Sequence, residues 1–168
     1  MRSHARLFGR SLHQLFVPIP AGMLVVGALV DVGQRFMPVP WLPTATYWDL
    51  TVGVAAGIVV GVFGIIDWLP IPDRSRAKRI GGLHAIGNML MIGAFTVALF
   101  SRSQTSTLGA STFALALEAG ALVMLTLTAW LGGELVDRLG VGVDDGANLD
   151  APNSLTHELP DVPRHESP

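Results

Sequence analysis

Two histidines lie where a helical membrane protein could use them to bind a cofactor. His13 precedes the first long apolar stretch of the chain, and His84 lies about one turn into the third. If both helices start on the same side of a membrane, the two imidazoles lie at one depth and could ligate the iron of haem b. A haem also needs a wide apolar slot, which a sequence does not display.

Further polar residues fall near the same depth. Asn88 follows His84 by one helical turn, and Asp67 and Glu134 end the second and fourth apolar stretches. We expect His84, Asn88 and at least one of the two carboxylates to form one inward-facing cluster, because polar groups facing lipid are unfavourable. The alternative is that these groups only make interhelical hydrogen bonds that hold the bundle together.

Two more carboxylates lie within the apolar stretches. Asp31 precedes Arg35 by one helical turn, and we interpret the two as an i,i+4 ion pair near the membrane interface. Glu118 has no basic neighbour at i±3 or i±4. Three alternatives therefore stay open: Glu118 is protonated, it pairs with Arg35, or it faces a water-filled path.

The elements that must position these residues are transmembrane helices. Of the 168 residues, 50% are hydrophobic and only 14% are charged, and the mean hydropathy is +0.49. A spanning helix needs about 20 mostly apolar residues, and four stretches qualify, near 17–37, 47–69, 80–101 and 108–133. The predicted fold class is all-α, an integral membrane four-helix bundle in a lipid bilayer.

The flanking segments have other compositions. Residues 1–16 mix arginine and histidine with leucine and phenylalanine, which predicts a short amphipathic helix along the interface. The transmembrane domain covers 17–140, and its first helix should begin at Pro18 or Pro20, because proline is tolerated in a first turn. Residues 141–168 hold six acidic residues and four prolines, which predicts a disordered tail.

The distribution of lysine and arginine predicts the orientation of the bundle. Eight basic residues lie in the N-terminal segment, in the 70–79 loop and after the fourth span, whereas only Arg35 and Arg102 flank the other ends. Since cytoplasmic segments of membrane proteins carry the excess of basic residues, both termini should be cytoplasmic.

Three glycines of the second span, Gly53, Gly57 and Gly61, recur every four residues. Glycines at this spacing line one helix face and allow another helix to approach closely, so we interpret them as packing residues rather than ligand contacts.

Several classes of function are excluded or disfavoured. The chain has no cysteine, so it forms no disulfide, thiolate nucleophile or iron–sulfur cluster. The sequence has no nucleophile elbow, catalytic triad spacing, His-Glu-x-x-His zinc motif or glycine-rich phosphate loop. Hydrolytic and transfer enzymes therefore rank last, no catalytic residue or metal site is assigned, and we expect no nucleic-acid partner.

Four segments resemble the bacterial four-span membrane family known as Domain of Unknown Function 2231. They are LHQLFVPIPAGM opening the first helix, with Asp31 near the end of that helix, GIIDW closing the second, RIGGLHAIGNML opening the third and WLGGELVDRLGVGVD closing the fourth. Together they cover roughly residues 11–144. The resemblance implies these signature positions: His13, Pro20, Asp31, Gly64, Asp67, His84, Asn88, Gly132, Gly133 and Glu134.

The chain departs from the family pattern at several places. Relatives commonly have proline after the first histidine and a second histidine five residues on, where this chain has Gln14 and Pro18. Some relatives have histidine at the position of Glu134, and some continue into a Rieske-type iron–sulfur domain, whereas this chain continues into an acidic tail. The resemblance implies the architecture and a location in the bacterial inner membrane, with little about activity.

Three functional hypotheses follow. The first is an accessory subunit in membrane electron or proton transfer, with a redox or respiratory membrane protein as partner and a cytoplasmic cluster of His13, Asp67, His84, Asn88 and Glu134. The second is a non-catalytic scaffold or assembly protein whose polar cluster is structural. The third is a small proton or solute carrier that uses Glu118, although neither an inverted repeat nor a broken helix is evident. Nothing in the sequence specifies an oligomeric state.

Overall fold

A computed structural model describes residues 2–144 and 146–151 of the chain. The first long helix begins at a proline, which is tolerated in a first turn. The side chains of Ser75 and Ser111 cap the N-termini of the last two long helices. In chain order the elements are β1 Arg6–Leu7, β2 Arg10–Ser11, α1 Leu12–Phe16, α2 Pro18–Gly33, α3 Leu42–Trp68, α4 Arg76–Ser103, α5 Thr112–Gly133 and a π-helical turn at Glu134–Arg138.

Four helical segments of the described chain are long and apolar enough to cross a membrane: Leu12–Gly33, Leu42–Trp68, Arg76–Ser103 and Thr112–Arg138. Each long helix packs against its neighbours in the chain, and α2 also packs against α5, which closes the bundle. The predicted four-helix membrane bundle is confirmed. We call the end that holds residues 2–11 and the 69–75 loop the terminal end, and the end with the 34–41 and 104–111 loops the distal end.

Apolar side chains fill the middle of the bundle and also cover its outside. The buried core consists of Leu24, Ala28, Leu50, Val54, Met91, Phe95, Leu99 and Ala121. Large apolar side chains such as Val26, Ile58 and Leu90 are exposed on the outer surface. An apolar exterior is what a lipid-facing surface requires, and packing inside rather than hydrophobic burial must hold such helices together.

The glycine repeat of α3 contacts other helices at two of its three positions. A Cβ added at Gly53 would lie 3.1 Å from the Leu24 side chain of α2, and one at Gly57 would lie 2.7 Å from Ile92 of α4. At Gly61 no atom lies within 4 Å, so the predicted packing role is wrong there. Each four-residue step rotates the position by about 40° around the helix, which carries Gly61 off the contact face.

The N-terminal segment is not the predicted interfacial helix. Residues 6–11 form a two-stranded antiparallel hairpin whose turn has positive φ at Phe8 (48°) and Gly9 (79°), and only Leu12–Phe16 is helical before α2. The backbone N–H groups of His4 and Ala5 donate to the Asp67 carboxylate. Because those donors are engaged by α3, the segment is held extended instead of coiling into a helix.

The predicted disorder of 141–168 lies largely outside the described residues, which omit 145 and 152–168. Within 141–144 and 146–151 the chain forms turns and bends.

Candidate functional site

A pair of histidines lies inside the terminal end of the bundle. Nδ1 of His13, on α1, lies 3.0 Å from the carbonyl oxygen of Val60, and Nδ1 of His84, on α4, lies 2.8 Å from that of Thr128. The ring centroids are 6.3 Å apart and the ring planes meet at 81°. Because a carbonyl oxygen can only accept, both Nδ1 atoms carry a proton when they make these bonds.

Glycines of two other helices make room for the histidine rings. A Cβ at Gly64 would lie 3.0 Å from the His13 ring, and one at Gly132 would lie 3.2 Å from the His84 ring. The amide Nδ2 of Asn88 lies 2.9 Å from Nε2 of His84, which leaves Nε2 as the acceptor. The structure therefore brings His84 and Asn88 together on the inward face of α4, with His13 beside them.

The two carboxylates of the terminal end bind other partners. Asp67 accepts hydrogen bonds from residues of the N-terminal segment, namely Ser3 Oγ (2.7 Å), His4 N (2.8 Å), Ala5 N (3.1 Å) and Ser11 Oγ (3.3 Å). Glu134 forms an ion pair with Arg76 at the start of α4. In the described part of the chain neither carboxylate hydrogen bonds to His84, so the expected single cluster consists of three separate sets of contacts. The N–H groups of the N-terminal segment occupy Asp67, and an arginine at the start of α4 occupies Glu134.

A second polar cluster, which we call the distal cluster, lies at the opposite end and consists of Asp31, Thr46, Arg102 and Glu118. The side chains of Arg102, Asp31 and Glu118 are 0%, 1% and 1% exposed. The guanidinium of Arg102 donates to five groups: the carboxylates of Asp31 and Glu118 (the latter at 3.4 Å), Thr46 Oγ1 (2.9 Å), and the carbonyls of Pro43 (3.0 Å) and Leu108 (2.9 Å). All its donor directions are therefore used inside the protein.

Asp31 is bound more completely than Glu118. Besides Arg102, Asp31 accepts from Thr46 Oγ1 at 2.6 Å and from Gln34 Nε2 at 3.1 Å. Glu118 has one contact to Arg102 through Oε1, and its buried Oε2 has no hydrogen-bond partner among the described residues. The distal cluster thus contains one satisfied carboxylate and one that is only partly satisfied.

Arg102, and not Arg35, is the partner of the intramembrane carboxylates. Arg35 donates to the carbonyl of Ala110 at 3.0 Å and is exposed, so the predicted Asp31–Arg35 pair and the Glu118–Arg35 alternative are both wrong. The predicted third span ended at residue 101, which put Arg102 in a loop, whereas α4 continues to Ser103. The sequence did contain a signal for this pairing. Two acidic residues, Asp31 and Glu118, lie within apolar stretches and need a basic partner, and Arg102 lies at the end of another stretch.

The loop that follows α4 is shaped around Arg102. Leu108 has a φ of 54°, which side chains other than glycine rarely adopt, and its carbonyl accepts from Nε of Arg102. The buried ion cluster thereby fixes an otherwise unfavourable backbone conformation.

A cavity of about 170 Å³ opens at the distal end against this cluster. It is lined by Asp31, Gln34, Arg35, Gly109 and Ala110. Since a water molecule takes about 30 Å³ of liquid volume, the cavity has room for several waters next to the Asp31 carboxylate. Another cavity, of about 180 Å³, is apolar and lies between α4 and α5.

Neither a curated protein nor a solved structure matches the chain. One family model does match, over residues 9–145, and its members are described as predicted membrane proteins. This match covers the four spans, both histidines and every member of the distal cluster. The chain therefore belongs to the family Domain of Unknown Function 2231.

Proposed function

We propose that this membrane protein is an accessory subunit in membrane electron or proton transfer and that the histidine pair is its working site. One observation carries the proposal: His13 and His84 come from different helices, meet 6.3 Å apart between ring centroids, and are each held by a backbone carbonyl through Nδ1. That anchoring leaves Nε2 of each ring as the atom that can accept a proton or a metal.

Proton transfer accounts for the geometry better than haem ligation. Nε2 of His84 already accepts from Asn88, and the rings lie against the helix backbones at Gly64 and Gly132. A porphyrin between the rings would require the Asn88 side chain to rotate away and a slot beside both glycines. Proton uptake at Nε2 of His84 needs no slot: it requires only that the Asn88 amide turn its oxygen toward the new N–H. Binding of haem b is the alternative role of the same histidine pair.

A scaffold is the second candidate function, and the carboxylates favour it. Asp67 holds the N-terminal segment and Glu134 holds Arg76, so both act within the fold. A purely structural role would extend the same reasoning to the histidines, whose bonds to Val60 and Thr128 join separate helices.

The orientation proposal gains support from the position of Arg102. With that residue buried in the distal cluster, the distal loops hold only Arg35, against eight basic residues at the terminal end. We therefore propose an inner-membrane location with both termini cytoplasmic, since basic residues are retained on that side. The histidine pair then faces the cytoplasmic leaflet.

Variants at the histidines separate the two functions. His13→Ala and His84→Ala are introduced in the native host, with His4→Ala, an exposed histidine of the N-terminal segment, as the matched control. The transfer proposal expects both to lower respiration-linked proton uptake by isolated membranes at equal protein level, while the control does not. Copurification in mild detergent identifies the redox partner.

The scaffold instead expects His84→Ala to lower the unfolding temperature and to leave proton uptake unchanged at equal protein level. The absorption spectrum of protein purified after expression with added haem tests haem binding. A Soret band lost in both histidine variants would assign haem to the pair, and its absence, also after reconstitution, would eliminate haem.

A further inference from the structure

The charges of the distal cluster do not balance. When all three groups are ionised, Asp31 and Glu118 carry two negative charges against the single positive charge of Arg102. These side chains are almost entirely removed from solvent, and an uncompensated charge in such a place is strongly unfavourable. A buried cluster with a net charge of −1 therefore favours uptake of one positive charge.

The hydrogen bonds identify the carboxyl group that takes it up. Asp31 accepts from Arg102, Thr46 and Gln34, whereas Glu118 contacts Arg102 at 3.4 Å and leaves Oε2 without a hydrogen-bond partner in the described part of the chain. An ionised carboxylate with one unbonded buried oxygen costs far more free energy than a neutral carboxyl group in the same position.

The helices around the cluster add another carboxylate and, among their described residues, no second cation in contact with Glu118. Asp31 lies on α2. The exposed Arg35 lies in the loop that follows α2, and it donates to the Ala110 carbonyl rather than to Glu118. From α3, Asp49 adds a half-buried carboxylate against Gly27, and Tyr47 offers its ring face to Arg102 at 5.9 Å. On α4 the charged group at this depth is Arg102 itself. No additional described cation contacts Glu118.

We propose that Glu118 is a proton-binding site, loaded with water-borne protons from the distal end through the cavity beside Asp31. The cavity is open, polar and large enough for several waters. On the other side of the cluster the buried core, including Leu24, Leu50 and Phe95, fills the bundle. The cluster therefore adjoins a polar cavity, which reaches Asp31, on its distal side and packed apolar side chains on the other. This inference involves neither histidine and stands independently of the proposed function.

Infrared spectroscopy of the purified protein in lipid nanodiscs tests the bound proton. At neutral pH the wild type is expected to show the carbonyl stretch of a protonated carboxyl group, shifted in D₂O. The band should be lost in Glu118→Gln and kept in Asp73→Asn, whose carboxylate is exposed. Absence of the band in the wild type, or its survival in Glu118→Gln, would overturn the proposal.

Asp31→Asn gives a second variant in case Glu118→Gln does not fold. Removing Asp31 leaves Arg102 and Glu118 as a balanced pair, so the proton should leave and the band should be lost. If the band persists unchanged in Asp31→Asn, the charge argument is wrong. A band removed by Na⁺ at constant pH would show a small-cation site instead and would also overturn the assignment to a proton.

The rate of hydrogen–deuterium exchange tests the route. Ala110→Phe fills the cavity and should slow the D₂O shift of the band without changing its position, whereas Ser106→Phe, in the same loop but outside the cavity lining, should not slow it. Equal exchange rates in the two variants would refute entry through the cavity. Exchange in the wild type is a further test that requires no variant. A band that does not shift in D₂O would also refute entry through the cavity.

Discussion

Arg102→Met is the substitution with the largest expected effect on stability. Arg102 is fully buried and is the ion partner of Asp31 and Glu118. Its removal leaves the buried Asp31 carboxylate without a counter-charge and Glu118 without its hydrogen-bond donor, and breaking a buried ion cluster in this way costs about 3–5 kcal/mol of unfolding free energy. Methionine has a comparable length and makes no new charge, so the loss measures the missing guanidinium.

Reversible unfolding in mixed micelles with increasing SDS, followed by circular dichroism, provides the free energies. Arg35→Met is the matched control at the same end of the bundle: this exposed arginine makes one hydrogen bond to the Ala110 carbonyl, and its loss should cost at most about 1 kcal/mol. The triple variant Asp31→Asn, Arg102→Met, Glu118→Gln removes all three ionisable groups and should recover much of the loss. An Arg102→Met protein as stable as the Arg35→Met protein would refute the reasoning.

Three other predictions concern packing, the N-terminal segment and orientation. Gly87→Ala should destabilise the bundle by about 1–3 kcal/mol in the same SDS assay, because its Cβ would overlap a threonine methyl group of α5. Gly93→Ala, with nothing within 4 Å, should not destabilise it; equal losses would contradict the close approach. Asp67→Asn should release the N-terminal segment and speed trypsin cleavage at its arginines relative to Asp73→Asn, and unchanged cleavage rates would argue against that anchoring. In this cysteine-free chain, Ser106→Cys should react with an impermeant maleimide from outside intact cells and Asp73→Cys only after permeabilisation, whereas the reverse pattern would invert the proposed orientation.

The number and type of the long helices follow from the sequence because hydrocarbon imposes a simple rule. Each of the four stretches is too apolar to be exposed to water, and a segment inside a bilayer must satisfy its own backbone hydrogen bonds. Each stretch therefore forms a long helix. The pairing of His84 with Asn88 also follows, since positions i and i+4 share a helix face. These are local properties, which a single sequence contains in full.

The partners of the carboxylates depend on contacts between distant segments. Asp67 binds residues more than fifty positions away, and Arg102 reaches Asp31 across 71 positions. Helix propensity assigns no partner over such separations, and an error of two residues at the end of α4 moved Arg102 from the bundle interior to a loop. The i,i+4 rule then favoured Arg35, although a buried and bidentate arginine can satisfy Asp31 far better than an exposed one.

The separation of the two polar ends favours an accessory role over an autonomous carrier. The distal cluster lies at one end and the histidine pair at the other, and between them the interior consists of closely packed side chains such as Leu24, Leu50 and Phe95, each at most 1% exposed. A proton on Glu118 has no chain of hydrogen bonds through that core to His84 within the described residues. Proton passage needs such a chain or a water-filled path, because an isolated charge in an apolar interior is prohibitively costly. Under the two proposals, the bundle in this conformation would hold protons at its ends without conducting them across. Net proton transfer across the membrane would need a second conformation in which the core side chains pack differently. Otherwise a partner protein would have to take the proton from the same side of the membrane at which it was bound.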